Sequence, residues 1–371
     1  MATSAQQLKA KGFLDSEPTA AERLAARLVR RSLYSLRFGS HEAQEAVAHF
    51  NRRIAPDLLR RVRDTLESEE AGGRPPSAST AARMEALGRT LRTVIEGESA
   101  GQRAALGRTL GRYAESEADF LLGGMRDTLP PALEVSLTAP SPAILRAITE
   151  GTTFHGDTLR GWYGVSDERV VREVTRELNI GLASGDPVDT IVRRIRGTAA
   201  NDFDDGILGG ARHELEALVR SSVSHVGQQA RMATYRENAD IITGYEWVAT
   251  LDTRTCLTCG PLDGKVFPVE DGRSAREPPE HFNCRCVTVP VLASGRDLGG
   301  RLPPAQRASM TGLAPASLKF PEWLLSQPAA VQDDVLGPAR GRMFRAGDLD
   351  LGDFTDDRGR LLTLDELDEL I

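Results

Sequence analysis

The sequence predicts an α+β protein that is mostly α-helical. Apolar residues recur at helical spacing over most of the first 240 positions, whereas the alternating segments typical of strands lie mainly after residue 240. All four cysteines of the 371-residue chain fall between Cys256 and Cys286, beside those strand segments. We therefore expect a helical N-terminal region, a small helix-backed β module that carries the cysteines, and an extended C-terminal tail.

Several segments have the periodicity and the end signals of helices. Two runs, about 79–96 and 100–122, predict two helices that contain internal glycines. One helix is predicted from near Ser166 to Gly185, and the next uses Asp186 as its cap and ends at Gly197. A longer helix is expected over about 205–238. Its polar face is interpreted as a solvated surface with some buried amides, with a docking face for another protein as the alternative.

Three short segments around the cysteines are typical of strands. Ile241–Ala249 alternates between apolar and polar residues, and Val266–Val269 and Val287–Val291 are short and β-branched. Together they predict a small sheet whose connecting loops hold the cysteines.

Proline-rich stretches and the change from helical to strand pattern suggest four modules. The predicted boundaries give a helical N-terminal region over 1–130 and a linker over 131–150. The module that contains the cysteines follows over 151–300, and an acidic tail over 301–371.

Charge and hydropathy exclude some classes of protein. The formal net charge is -7, and the segment from Asp348 to Ile371 carries nine acidic residues against Arg358 and Arg360, which argues against a general nucleic-acid binder. Lysine occurs at only four positions, so arginine supplies most of the positive charge. The sequence contains no run of about 18 apolar residues, so no membrane span is predicted. The N-terminus also lacks the basic-then-apolar pattern of a secretory signal.

The cysteines form two closely spaced pairs. Cys256 and Cys259 make a C-x-x-C pair, Cys284 and Cys286 make a C-x-C pair, and His281 precedes the second. Each pair can supply adjacent corners of a tetrahedral zinc site. One or two disulfides, or unlinked thiols, remain alternatives at this point.

The residues around these pairs form a longer motif. Trp247 is followed by Asp-Thr-Arg-Thr-Cys-Leu-Thr-Cys over 252–259, Leu-Asp-Gly over 262–264 and Pro-Pro-Glu-His-Phe-Asn-Cys-Arg-Cys over 278–286. This order resembles the phage head morphogenesis family, the phage Mu F-like minor head proteins of tailed bacteriophages. That family typically shows Trp, then D-x-R-T-C-x-x-C, L-D-G and P-P-x-H-x-N-C-R-C. Phe282 departs from the family pattern, in which proline is common at that position.

The resemblance covers about residues 150–295 well and implies a function. A protein of this family is expected to act in capsid assembly of a tailed phage or prophage by binding portal protein and capsid or scaffold proteins. It would reside in the virion head near the portal vertex, and in the host cytoplasm during assembly. Weak DNA contact through arginine-rich helix faces is a further expectation; a membrane or a small-molecule substrate is not expected.

The ligands predicted for a zinc ion are Cys256, Cys259, Cys284 and Cys286, with His281 in place of one cysteine as the alternative. Four such ligands leave no open position for a reactive water, so the site is predicted to be structural. Arg254, Asn283 and Arg285 are expected to donate hydrogen bonds that steady the thiolates or the loop, and Asp252 and Asp263-Gly264 are interpreted as turn residues. The residues predicted to support the site are Trp247, Asp252, Arg254, Asp263, Gly264, Asn283 and Arg285.

Enzymatic alternatives fit the residues less well. A zinc deaminase needs H-x-E before its C-x-x-C pair, and a metalloprotease needs H-E-x-x-H; neither is present. A nuclease or other hydrolase could use His281 and Asn283, but no second histidine follows. We therefore predict a binding protein, with a hydrolase that uses the His281–Asn283 loop as the alternative.

Overall fold

A computed structural model gives the fold of this chain. It describes residues 20–71, 78–127, 137–269, 276–292, 306–310, 312–315, 317–356 and 359–371. Within these residues the chain is mostly helical, as predicted, and none of the helices combines the length and apolar character required to cross a membrane. The α-helices are α1 (Ala20–His49), α2 (Ala55–Ala71), α3 (Ala78–Arg126), α4 (Pro142–Glu150), α5 (Leu159–Ser184), α6 (Val188–Arg196), α7 (Ile207–Glu237), α8 (Phe320–Leu325), α9 (Ala329–Leu336), α10 (Pro338–Ala346) and α11 (Leu364–Asp368).

The chain forms two compact units, and each is built from separate segments. Unit 1 comprises Met1–Leu36, Tyr113–Ile148 and Ser224–Ile371; unit 2 comprises Arg37–Arg112 and Thr149–Val223. The four modules expected from the sequence follow chain order instead, and that division stays a prediction. Residues 131–136 of the predicted linker (131–150) lie outside the described residues, and helix α4 (Pro142–Glu150) occupies its second half.

One long helix, α3, replaces the two helices predicted over this region. The sequence suggested a break between residues 96 and 100, but the helix continues through Gly97 and Gly101. Each glycine costs roughly 1 kcal/mol in a helix interior. Ile95 and Leu106 are buried on either side of the glycines. Packing of this apolar face outweighs the local preference, which is why the prediction of two helices was wrong.

Helices α5 and α6 end where predicted but begin elsewhere. Helix α5 starts at Leu159, about two turns before Ser166, because the side-chain oxygen of Thr158 accepts a backbone hydrogen bond from Gly161 and caps the helix there. Gly185 ends α5 in the left-handed conformation (φ 68°), as predicted. The N-cap of α6 is Pro187 rather than Asp186.

A three-stranded antiparallel sheet lies next to the cysteines, close to where the sequence predicted it. Its strands are β1 (Ile242–Val248), β2 (Val266–Pro268) and β3 (Val287–Leu292), in the order β2-β1-β3. Helix α7 is tied to this sheet by side chains. The buried amide of Gln228 and the hydroxyl of Thr288 exchange hydrogen bonds of 2.8 and 3.1 Å, and Tyr235 Oη lies 3.2 Å from the same hydroxyl.

The polar face of α7 is buried more deeply than expected. Arg231, predicted to lie on a largely solvated face, is 3% exposed and donates two hydrogen bonds, of 3.1 and 2.9 Å, to Glu117 of α3. Glu117 is 1% exposed and also accepts a 2.7 Å hydrogen bond from Arg31 of α1. The partners are separated by 86 and 114 residues in sequence, so local patterns could not reveal this cluster.

The C-terminal tail is not extended, which corrects the prediction. Strands β4 (Gln306–Ser309) and β5 (Gly312–Pro315) form a hairpin, and helices α8 to α11 follow. The expectation relied on prolines, glycines and acidic residues, but the apolar residues between them are numerous enough to form a core. That core contains Leu251, Ala314, Phe320, Trp323, Leu324, Leu336, Phe344, Leu349, Leu351, Phe354 and Leu367.

Candidate metal centre

The sheet brings the two cysteine loops together. The first loop follows β1, and the second leads into β3. Because β1 and β3 are antiparallel, with Trp247 opposite Thr288 and Val248 opposite Val287, the end of one strand lies beside the start of the other. The C-x-x-C and C-x-C pairs are therefore neighbours in unit 1.

Five candidate donors lie in one cluster. The donor atoms of Cys256, Cys259 and His281 all lie within 4.8 Å of one another, and so do those of Cys259, Cys284 and Cys286. Cys259 belongs to both groups. Four of the five side chains are cysteines without a disulfide, and three of these are buried. This set could hold one metal ion.

The distances agree with the edges of a tetrahedral zinc site. With Zn–S bonds of about 2.3 Å and Zn–N bonds of about 2.0–2.1 Å, two sulfurs are about 3.8 Å apart, and a sulfur and a nitrogen about 3.5 Å apart. In the structure, Cys259 Sγ lies 3.9 Å from Cys284 Sγ. His281 Nε2 lies 3.2 Å from Cys256 Sγ and 3.5 Å from Cys259 Sγ. A disulfide would need about 2.05 Å between sulfurs, so the geometry fits a metal better than a disulfide.

The orientation of the imidazole fits a metal ligand as well. His281 Nδ1 lies 2.8 Å from the carbonyl oxygen of Phe282. A carbonyl oxygen only accepts hydrogen bonds, so Nδ1 carries a proton and Nε2 is the atom that faces the sulfurs. Donation from the second ring nitrogen to a carbonyl is the usual support for a metal-bound histidine.

The electrostatics of the cluster favour a positive charge at its centre. Hydrogen bonds to Cys259 and His281 lower the pKa of Cys256 to about 4, although burial acts in the opposite direction. Hydrogen bonds to Cys259 and Cys286 lower the pKa of the Cys284 thiol as well. Hydrogen bonds with Cys256 and Cys284 raise the pKa of His281 to about 11. The sulfurs thus hold a proton on Nε2 at neutral pH, in the position where a bound cation would take its place.

Backbone groups reinforce the thiolates. The amide of Cys259 donates to the sulfur of Cys256, and the amide of Cys286 donates to the sulfur of Cys284, and both interactions lower the thiol pKa. Such amide donation stabilises the anionic form that binds metal.

An ion pair joins the two loops. Arg285 forms a bidentate pair with Asp252, with Nη2 2.7 Å from Oδ1, and Asp252 also accepts a 3.0 Å hydrogen bond from the amide of Arg254. Asp252 is therefore a link between the loops as well as a turn residue. The side chain of Arg254 is exposed and makes no hydrogen bond to the sulfurs among the described residues.

Trp247 covers the cluster from inside. It is 0% exposed and packs with Cys259, Leu262, Cys284 and Cys286. Its Nε1 is buried and has no hydrogen-bond partner among the described residues. A hydrogen bond with Cys259 lowers the pKa of the neighbouring Cys286 thiol, but the Cys284 sulfur and burial outweigh it and raise that pKa.

Asp263 does far more than shape a turn. Its side chain is 0% exposed and accepts hydrogen bonds from the amides of Ala249 (2.8 Å) and Phe320 (2.7 Å). It also accepts two from the guanidinium of Arg307, at 2.9 and 3.0 Å, and Arg307 is itself 3% exposed. The sequence could not reveal this role, because Arg307 and Phe320 follow by 44 and 57 residues.

Gly264, which was predicted to lie in a turn, and Asn283, which was predicted to donate a hydrogen bond, both adopt left-handed backbone conformations. Gly264 has φ 85°, and its amide donates a 2.8 Å hydrogen bond to the carbonyl of Trp247. Asn283 has φ 61°, in a turn closed by the amide of Cys284 and the carbonyl of His281. Asparagine tolerates this conformation better than most residues, so the turn can orient His281 and Cys284 toward the same cluster.

The loop between Cys256 and Cys259 is also a contact surface for the C-terminal helices, a role that the sequence analysis missed. Leu257 packs against their core, and Thr258 Oγ1 donates a 3.2 Å hydrogen bond to the carbonyl of Gly359. Gly260 is buried so closely that a Cβ atom there would lie 2.6 Å from the ring of Phe320. A glycine immediately after the second cysteine was the available signal.

The orientation of His281 does not suit the hydrolase alternative. His281 directs Nε2 toward sulfur and Nδ1 toward a carbonyl, so neither nitrogen is directed toward a substrate. Asn283 is exposed on the turn beside it. The geometry favours ligand binding over general-base catalysis.

Comparison with known proteins supports the resemblance drawn from the cysteine motif. No curated protein and no solved structure matches the chain. Residues 172–289 match the model of a family described as phage Mu protein F like protein. This segment runs from within α5 to within β3 and contains all five candidate ligands. Through it the chain is similar to the phage Mu protein F like family, and the predicted phage head morphogenesis relationship is confirmed for that segment.

Proposed function

We propose that this protein is a minor head protein of a tailed phage or prophage that acts by binding portal and capsid or scaffold components during head assembly. The observation that carries the proposal is the family match over residues 172–289, which contains the complete cysteine motif. The protein would be located in the virion head near the portal vertex, and in the host cytoplasm while heads assemble. Its role would be binding rather than catalysis.

Within this role, the cysteine cluster holds a structural zinc ion. Four of the five donors Cys256, Cys259, Cys284, Cys286 and His281 would complete its coordination and leave no open position. The soft thiolate donors, the S···S and S···N distances and the hydrogen bond from His281 Nδ1 all support zinc. When bound, the ion supplies the positive charge that allows neighbouring thiolates to share a buried site.

The zinc region would serve as a rigid platform. It joins the sheet to the C-terminal helices through Leu257, Thr258 and Gly260, and the Asp263–Arg307 pair reinforces the same junction. The helical N-terminal region is the candidate for contacting portal or scaffold protein. Arginine on helix faces would permit weak DNA contact, but the net charge of -7 disfavours a large contribution.

Elemental analysis of the purified protein tests the metal. We expect one zinc per chain and four thiols that become reactive only after chelation and denaturation. Cys284→Ser should abolish binding and unfold the module, whereas His281→Ala should have a milder effect if the four cysteines are the ligands. If His281→Ala loses the metal and Cys286→Ser retains it, the site is Cys₃His. A metal-free protein with paired cysteines would overturn the zinc proposal.

Co-purification tests the assembly role. We expect the protein to co-elute with the portal protein of the same phage genome when the two are co-expressed, and Cys284→Ser to lose this complex. A matched control is Arg254→Ala, which changes an exposed side chain in the same loop and should leave both zinc and complex intact. Absence of a complex with portal, capsid and scaffold proteins would contradict the proposed function even if zinc is present. A mobility-shift assay at low ionic strength tests the DNA contact, which salt-insensitive or absent binding would exclude.

A further inference from the structure

Unit 2 contains an open groove that the proposed metal site does not involve. It lies between α3 and α5 and has a volume of about 790 Å³. The two helices approach closely at Gly88, where a Cβ atom would lie 3.3 Å from Thr175 Oγ1. The groove is lined by residues within Glu85–Arg92 of α3 and Glu168–Ala183 of α5.

The rim of the groove is positively charged. Its four arginines and two glutamates leave a net charge of +2. Arg92 is neutralised by a bidentate pair with Glu168, at 2.9 and 3.0 Å, and Arg89 is paired with Glu85. The remaining two arginines, Arg172 and Arg176, are exposed and form no ion pair among the described residues, although Glu168, one turn earlier on α5, attracts Arg172 electrostatically. Their guanidinium groups are available to an acidic partner.

The floor of the groove is apolar. Val171 is buried beneath it, Ile180 is 48% exposed along it, and Ala183 extends it toward the end of α5. A large exposed isoleucine beside unpaired arginines is a combination that both apolar and acidic groups can occupy. A nucleic-acid backbone would use the arginines but not the isoleucine, and it would bring phosphates near the exposed carboxylates of Glu85 and Glu168.

The dimensions of the groove suit a helix. Its lining on α5 extends over 16 residues, from Glu168 to Ala183, whose 15 rises of 1.5 Å correspond to about 22 Å. Arg172 and Arg176 are four residues apart and therefore one turn apart on the same face. Carboxylates at positions i and i+4 of a partner helix have the same spacing, and such a helix can direct its apolar stripe onto Ile180.

We propose that this groove binds an acidic amphipathic α-helix of a protein partner. Carboxylates one turn apart on the partner pair with Arg172 and Arg176, and its apolar side chains cover Val171, Ile180 and Ala183. The proposal goes beyond the assembly role, because the groove is separate from the cysteine cluster and its failure would leave the zinc proposal untouched.

Peptide binding to the full-length protein tests this proposal. The probe is a fluorescent 15-residue helical peptide with glutamates at i, i+4 and i+8 beside a leucine stripe, measured by anisotropy. We expect R172E/R176E to weaken binding at least tenfold. The matched control is R108E/R112E, which makes the same charge change at the same spacing on exposed positions of α3 outside the groove, and it should bind like the wild type.

A second pair of variants tests the apolar floor. Ile180→Gln should weaken binding, whereas Val165→Gln, at an exposed valine of the same helix outside the groove, should not. Equal binding by wild type and R172E/R176E, or no binding of the acidic peptide at all, would overturn the proposal. So would binding of a 20-base-pair DNA duplex that requires Arg172 and Arg176 while the peptide does not bind. Circular dichroism melting of each variant shows whether lost binding reflects lost folding.

Discussion

Replacing Asp263 with alanine should release the C-terminal helices from the loop that carries Cys256 and Cys259. The substitution removes four hydrogen bonds and leaves the guanidinium of Arg307 buried without its carboxylate. Breaking a buried ion pair by removing one partner typically costs about 3–5 kcal/mol. The amides of Ala249 and Phe320 also lose their acceptor, which adds to the cost. We therefore expect a loss of about 4 kcal/mol in the stability of this junction.

Hydrogen exchange followed by mass spectrometry can measure this loss locally, without assuming that the whole chain unfolds in one step. Since 1.36 kcal/mol corresponds to a factor of ten, a loss of about 4 kcal/mol should accelerate exchange in α8 and α10 by about a thousandfold where exchange proceeds through opening of the junction. The control is Glu246→Ala, which removes a pair with Lys319 at the same junction. Both of those side chains are about one third exposed, so the expected cost is below about 1 kcal/mol.

Equal effects of the two substitutions would refute this reasoning, because the buried and exposed pairs would then contribute alike. A second informative result would come from Asp263→Ala in combination with Arg307→Met. Removing both charges should recover part of the stability that the single substitution loses, since no unpaired guanidinium remains buried. No recovery would mean that the backbone amides, rather than the ion pair, dominate.

Three further predictions concern other parts of the molecule. Cys259→Ser removes the donor shared by both groups and should lose zinc and accelerate proteolysis of the C-terminal segment, which elemental analysis and a protease time course would show; retained zinc would contradict a central role for this sulfur. Burial raises the pKa of Asp167 to about 6, so its protonated form favours folding: this contribution is complete below pH 4 and is lost as the pH rises through 6. Asp167→Asn can still accept the 2.8 Å hydrogen bond from Ser99 and should therefore raise the free energy of unfolding by about 2 kcal/mol at pH 8. It should also flatten the pH dependence of urea unfolding, and an unchanged pH profile would exclude this titration. Gly260→Val places side-chain atoms against Phe320 and should accelerate amide exchange in α8 by at least tenfold, with Gly352→Ala, where added atoms meet nothing within 4 Å, as the neutral comparison.

Local sequence signals located much of the candidate site. The spacing of Cys256, Cys259, Cys284 and Cys286 identified a cluster, and the strand pattern on either side identified the sheet that brings the pairs together. These features depend on short-range periodicity, which a single sequence records directly. His281 was identified as a fifth candidate, but spacing alone could not decide how its ring is oriented.

The sequence pattern could not reveal ion-pair partners that are far apart along the chain. Asp263 was interpreted as a turn residue because it precedes a glycine, and its link to Arg307 emerges only when the chain is folded. The same limit applies to Glu117 and Arg231, whose burial depends on a contact across 114 residues. Charged residues in a sequence usually indicate solvent exposure, and a paired buried charge is the exception that pattern analysis misses.

Local signals such as glycine predicted helix ends correctly at some positions and wrongly where packing favoured a continuous helix. Gly185 ends α5 as expected, because its left-handed conformation lets its amide donate to the carbonyls of Gly181 and Leu182 and closes the helix. Gly97 does not interrupt α3, since buried side chains on both sides favour one continuous helix. The C-terminal tail illustrates the same competition: its acidic residues suggested an extended chain, while Phe320 and Trp323 provide the centre of a core.

The order in which the contacts occur along the chain has a consequence for biosynthesis. Cys256 and Cys259 leave the ribosome before Cys284 and Cys286, and the C-terminal helices leave last. Those helices pack on the loop between the first two cysteines, so their docking surface is complete only after the second pair has joined the cluster. If the cluster holds zinc as proposed, maturation of this end of the protein should depend on zinc supply during synthesis, and chains made under zinc starvation should retain unprotected C-terminal segments.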